Sequence, residues 1–258
     1  PRGVHGQISI WKNELVTPAQ ALVKADNPFT RKHAEVYVDY QARLAKAGAM
    51  DFDDLLMKTV QLFREHPDVL AHYQQRFQHV LVDEYQDTNM AQNELALSLA
   101  AESGQVTIVG DGDQSVYGWR GADVRNILQF EEAFDDVTTI VLDQNYRSTQ
   151  TILDAANAVI RNNPDRKEKH LWSDKGGGDR IMRYHAEDEG DEATFVARSM
   201  QNLQRDAHVM WKEMAAFYRT NAQSRVLEES FMRFGIPYKV VGGTRFYDRR
   251  EVKDILAY

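Results

Sequence analysis

From Val80 onward, short β-rich apolar runs alternate with helical patterns, and this alternation narrows the possible folds more than any other feature of the chain. The runs are Val80 to Val82, Val106 to Val109, Thr138 to Leu142, Arg180 to Tyr184, Met214 to Tyr218 and Tyr238 to Val241. Strands separated by helices pair in parallel, and a parallel sheet needs cover on both faces. The pattern therefore predicts an α/β fold of two lobes. Upstream, Asp51 is placed to cap a helix whose Phe52, Leu55, Leu56, Val60 and Phe63 form one apolar stripe. Downstream, Ser148 can cap a helix with a stripe of Ile152, Ala155, Ala156, Val159 and Ile160. Asn162 to Asp179, with Pro164, several basic residues and Gly176-Gly177-Gly178, follows neither period and reads as a surface connection.

With 258 residues, 43% of them apolar, the chain can bury a substantial core as one large domain or two smaller ones. A formal charge of -8 excludes nucleic-acid binding through bulk charge, so any contact with DNA uses local features. The absence of cysteine excludes a disulfide framework and thiolate metal sites. No apolar run approaches the roughly 18 residues of a membrane span, and no signal-peptide pattern opens the chain. The expected compartment is the cytoplasm. The chain begins at Pro1 and stops at Tyr258 inside an unfinished helical pattern, Glu251 to Tyr258, as expected of a piece of a longer protein.

Three segments carry chemistry. The strand His79-Val80-Leu81-Val82 ends in Asp83-Glu84. In a nucleotide hydrolase the first carboxylate can hold Mg²⁺ and the second can orient or deprotonate the attacking water. For an isolated strand the alternative is a plain acidic turn. In Gly110-Asp111-Gly112-Asp113-Gln114-Ser115-Val116-Tyr117-Gly118-Trp119-Arg120-Gly121, the glycines allow close approach of a ligand. Gln114 offers an amide to a terminal phosphate, and Trp119 a flat face to an unpaired base or to the core. In Asp143-Gln144-Asn145-Tyr146-Arg147-Ser148-Thr149, Arg147 can clamp a γ-phosphate and Tyr146 can stack on adenine. The structural alternatives there are an ion pair for Arg147 and a packed seam for Tyr146. Asp87 or Asn89 can cap the helix after the first segment.

In order and spacing, the string Val82-Asp83-Glu84-Tyr85-Gln86-Asp87-Thr88-Asn89 and the two segments after it resemble superfamily 1 DNA helicases of the UvrD/PcrA/Rep family. Phe217 to Arg225, Gly242 to Asp254 and Asp51-Phe52-Asp53-Asp54-Leu55-Leu56 are similar to further family segments; for the last, capping is preferred to catalysis. Gly112 departs from the family, where Asp is common. The resemblance implies RecA-like parallel-sheet lobes of the P-loop NTPase type, both incomplete, behind part of a helical insertion domain. Residues 1–47 would be the tail of that domain, 48–136 the latter part of the first lobe and 137–258 the beginning of the second.

The resemblance further implies ATP and Mg²⁺ as cofactors, and single-stranded DNA and single-to-double-strand junctions as partners. Asp83 would hold Mg²⁺, Glu84 the water, and Gln114, Arg147 and Tyr146 the nucleotide. Arg147 would act as an arginine finger. Trp119, Tyr117, Arg120, Arg245 and Phe246 would meet DNA. The implied parent is a translocase, 3′ to 5′ as its relatives are, acting in repair or replication. It would work in the bacterial cytoplasm, at the nucleoid, with repair or replication proteins as further partners.

No G-x-x-x-x-G-K-[ST] phosphate loop occurs in the sequence, and Gly176-Gly177-Gly178 does not replace it. The expectations are an inactive isolated chain and a first lobe with an open seam. Two other readings are a helicase-nuclease subunit and a noncatalytic DNA-binding scaffold. The joint presence of Asp83, Glu84, Gln114 and Arg147 argues against the scaffold.

Overall fold

The computed structural model describes residues 2–134, 136–164 and 166–242. The chain divides into two compact units, residues 1–179 and 180–258.

The first unit begins with three helices, α1 (Arg2–Asn13), α2 (Pro18–Lys24) and α3 (Pro28–Lys46). Thr17 and Asn27 open the second and third through reciprocal capping boxes, each followed by a proline whose missing N–H costs nothing at a helix start. Ile8, Trp11, Val16, Ala21, Ala34 and Tyr37 close a small core among them. Next come α4 (Phe52–Glu65) and α5 (Pro67–Arg76), then α6 (Met90–Ala100), and α4 packs against α1, α5 and α6.

Asp51 caps α4 as expected, accepting the Asp54 N–H at 2.8 Å. The buried face is different from the predicted stripe. It is Asp54, Met57, Val60 and Phe63, while Phe52 is 89% exposed and Leu55 also faces out. The reason is ionic. Lys12 of α1 is fully buried, with Nζ 2.7 Å from Asp51 Oδ2 and 3.0 Å from Asp54 Oδ1, which draws the polar side of the first turn inward.

Two strands, β1 (Val80–Val82) and β2 (Val106–Ile108), pair in parallel with Val80 opposite Val106 and Val82 opposite Ile108. Among the described residues the remaining predicted strands do not form. Residues 138–142, 180–184, 214–218 and 238–241 have no ladder partner among the described residues, and only an isolated bridge joins Gln144 to Trp172. A strand exists through its neighbour's N–H and C=O groups, and apolar β-branched composition does not create one without it. The described molecule is mostly helical with a small parallel sheet.

The short helix α7 (Arg125–Leu128) and then α8 (Gln150–Ile160) complete the first unit's helices. Ser148 does not cap α8; Thr149 occupies the cap position, and Asn145 Oδ1 instead accepts the N–H groups of Arg147 and Ser148. Leu153 and Asn157 form the buried face of α8, leaving Ile152 and Val159 of the predicted stripe exposed. Asn157 is held inward by two bonds to the Leu171 backbone. The glycines of the connection pack on the start of this helix, where the carbonyls of Gly176 and Gly177 accept the N–H groups of Gln150 and Thr151. At Gly178, φ is +69° and a Cβ would stand 2.6 Å from Thr149 Oγ1, so only glycine fits.

In the second unit, α9 (Glu189–Asp206) packs on α10 (Ser224–Arg233) around Ala197, Phe231 and Ile236.

Candidate functional site

Parallel pairing brings the C-terminal ends of β1 and β2 together, where open α/β sheets collect ligands. The pairing continues one step beyond the strands: Val109 N–H donates to Val82 O at 2.8 Å and Tyr85 N–H donates to Val109 O at 3.0 Å. Asp83-Glu84 and Gly110-Asp111 therefore leave the sheet side by side.

Asp83 and Glu84 are both exposed and line a cleft of about 430 Å³ with Val80, Val82, Asp87 and Thr88. Glu84 lies in the left-handed region at φ 51°, uncommon for a residue with a side chain. Asp83 Oδ1 accepts the Glu84 N–H at 2.9 Å. Among the described residues no cluster of three His, Cys, Asp or Glu gathers to hold a metal. One exposed carboxylate at a strand end is nevertheless the donor set that suits Mg²⁺, which commonly takes one or two carboxylates and completes its shell with water and phosphate oxygens.

Gln86 lies in the string Val82 to Asn89, where its residue type alone points to no role. It is 1% exposed. Its amide donates from Nε2 to Glu84 Oε2 at 2.7 Å and accepts the Asp111 backbone N–H on Oε1 at 2.9 Å. Asp111 in turn accepts the Asp113 N–H at 3.0 Å and the Gln114 side-chain amide at 2.7 Å. Glu84 and Gln114 are thus joined through one buried amide and one aspartate.

The segment Asn162 to Asp179, expected as a surface connection, supplies the other side of this loop. Arg166 donates from Nε to Asp113 Oδ1 at 3.1 Å and from Nη2 to Asp113 Oδ2 at 2.9 Å. Lys169 pairs with Asp111 and stands 3.3 Å from Asp113 Oδ2. The Arg166 guanidinium holds the Asp113 carboxyl below the usual carboxylate range; burial opposes this, and Lys169 adds to it. The available signal was complementary charge, two aspartates in one segment and basic residues in another. Nothing in one dimension pairs charges 53 residues apart.

Beyond Gln114, Trp119 is 67% exposed, so it is not the core residue its type favours. Its ring centroid lies 6.3 Å from that of Tyr117, tilted by 50°. Tyr146 is also exposed, and its hydroxyl donates to Gln144 at 2.9 Å. Arg147 is exposed and makes no ion pair among the described residues. Among the described residues no hydrogen bond joins Tyr146 or Arg147 to Glu84, Gln86, Asp111 or Gln114. The side chain of Arg120, and all of Arg245 and Phe246, lie outside the described residues. Of the two expected caps, Asn89 serves α6, accepting the Gln92 N–H at 2.9 Å. No helix among the described residues is long and apolar enough to cross a membrane.

The family model of the UvrD/REP helicase N-terminal domain matches residues 2–135, and that of the UvrD-like helicase C-terminal domain matches residues 140–258. The chain is 50% identical over its whole length to the ATP-dependent DNA helicase PcrA of Leuconostoc citreum, covering 34% of that protein. It is 52% identical to the proteins of the same name from Staphylococcus aureus and Staphylococcus epidermidis, covering 35% of each. The chain thus spans about a third of the length of these relatives. Matched along nearly all its residues by both halves of one helicase family, the chain belongs to the UvrD/PcrA/Rep family of DNA helicases.

Proposed function

We propose that this chain is the central part of an ATP-dependent DNA translocase that separates duplexes, moving 3′ to 5′ in DNA repair or replication. The observation that carries the reading is the continuous hydrogen-bonded path from Glu84 through Gln86 and Asp111 to Gln114, three residues before the exposed pair Tyr117 and Trp119. A carboxylate suited to activating water is thereby tied to a segment suited to stacking bases. In such a motor these two tasks must be coupled. The names of the PcrA relatives support the same reading.

In this scheme Glu84 orients the attacking water and accepts its proton. Asp83 would hold Mg²⁺, which when bound would neutralise charge on the phosphates. Gln114 contacts the terminal phosphate, Arg147 reaches it as a cationic finger and Tyr146 stacks on the adenine. Trp119 and Tyr117, with Arg120, Arg245 and Phe246, contact single-stranded DNA at or near a duplex junction. Residues 1–47 serve as the end of a helical insertion domain, 48–136 as part of a first RecA-like lobe and 137–258 as part of a second. The point between 135 and 140 where the two family matches meet supports the second boundary.

The phosphate loop that completes such a site has no counterpart in these 258 residues, so this chain by itself does not hydrolyse ATP at a motor's rate. In the full-length protein that carries it, Glu84→Gln abolishes DNA-stimulated ATP hydrolysis while nucleotide binding persists. ATPase by the isolated chain that disappears on the same substitution would overturn the fragment reading, and an active full-length variant would overturn the role of Glu84.

A further inference from the structure

We propose that Gln86 is a positioning residue that sets the Glu84 carboxylate against the Asp111–Gln114 loop, so that the water-activating group and the phosphate-sensing amide move as one unit. The inference rests on the functional reading of Glu84 and Gln114 given above. It concerns a buried residue that acts through Glu84 and the loop.

Glu84 is exposed and left-handed, so neither packing nor ordinary backbone preference fixes its side chain. The described contact that does so is the 2.7 Å bond from Gln86 Nε2. Gln86 itself has little freedom. It is buried, its Oε1 is taken by the Asp111 N–H at 2.9 Å, and its backbone carbonyl accepts the Ser115 hydroxyl at 3.2 Å. A buried amide using donor and acceptor in opposite directions transmits displacement, since moving either partner leaves a polar group unpaired in the interior.

The backbone around it is shaped to receive this amide. A Cβ on Gly110 would stand 2.5 Å from Gln86 Oε1, 2.8 Å from Ile127 Cδ1 and 3.1 Å from the Tyr85 backbone nitrogen. Gly110 has no need of a positive φ. Its lack of a side chain serves close approach, and the Gln86 amide is the nearest of the groups that approach. The segments of Gln86 and Asp111, 25 residues apart, therefore meet closely beside a glycine.

The test uses the full-length protein and two substitutions. Gln86→Met keeps the volume and removes both hydrogen bonds; Gln86→Asn keeps an amide one methylene too short to span both partners. The expected result is a fall in kcat, on the order of a hundredfold for Gln86→Met and smaller for Gln86→Asn, because misplacing a catalytic group by about 1 Å costs that much. KM for ATP stays within about twofold, as positioning acts on the chemical step and not on ground-state binding. Independently of activity, hydrogen exchange in peptides covering Val109 to Gln114 rises in the nucleotide-free variants, as the Asp111 N–H loses its acceptor. A folded Gln86→Met protein with kcat within about threefold of the parent, or a loss carried by KM, overturns the proposal. If Gln86→Met does not fold, the same criteria apply to Gln86→Asn. Glu84→Gln, measured alongside, separates the two ideas: full activity there overturns the functional reading, whereas an inactive Glu84→Gln beside a normal Gln86 variant overturns this inference alone.

Discussion

Asp113 shows how a residue's neighbours decide its task. Within its own segment it is one acidic residue among several, yet Arg166 and Lys169 arrive from the far connection to pair with it, and both ends of the Arg166–Asp113 pair are nearly covered. A carboxyl held below its ordinary value contributes stability that is present above about 3.9, the pKa of an unfolded aspartate, and is lost as pH falls through the folded value. Asp113→Asn should therefore lower the unfolding free energy of this chain by about 2 kcal/mol at pH 7, the scale of a hydrogen bond to a charged group. The gap should narrow by pH 3, and urea titrations at the two pH values measure it. An equal gap at both would show that the pair contributes nothing through charge. Gly110, Asp83, Glu84 and Gln114 were legible as candidates because their types are rare in that order at a strand end. The partners of Asp113 and the role of Gln86 were not, since each depends on a contact across 25 residues or more.

Two helices, α4 and α6, start where local chemistry says, α8 does not use the expected Ser148 cap, and the buried face of α4 shares only Val60 and Phe63 with the predicted stripe. Asp51 and Asn89 cap α4 and α6 through bonds to residues three positions on, a relation written into the sequence. The inward face of α4 was decided by Lys12, a residue 39 positions from Asp51. Lys12 and Asp54 have no exposed side-chain surface, Tyr40 donates to Asp51 at 2.9 Å, and Gln41 donates to Asp54 at 3.0 Å. Burial and the Asp51 hydrogen bond push the Tyr40 hydroxyl up to about 12, so it remains a donor through the neutral range. Lys12→Met leaves two carboxylates without their cation in the interior and should cost about 3–5 kcal/mol of stability. Chemical unfolding of the variant checks this; a loss under 1 kcal/mol would mean that water reaches the site.

At the scale of the molecule, the exposed aromatic pair beyond Gln114 is the feature that the functional reading most needs. Trp119→Ala in the full-length protein should weaken single-stranded DNA binding by about 1–3 kcal/mol, the worth of one base stacked on an aromatic ring. Fluorescence anisotropy with a labelled oligonucleotide measures it, and unchanged affinity would remove Trp119 from the DNA track. The sequence alone determined the family, the carboxylate pair after β1, the cap of α4 and the order of the functional segments, because each is a short-range pattern of residue types. Tertiary structure decided which apolar runs became strands: β1 and β2 found each other in parallel, while 138–142 and the later runs have no described neighbour to supply their hydrogen bonds. It also decided that Lys12 lies inside, that Arg166 and Lys169 leave the solvent for Asp111 and Asp113, and that Gln86 joins Glu84 to the loop. Buried polar groups must find partners wherever the fold brings them close, and the distance along the chain places no limit on where that is.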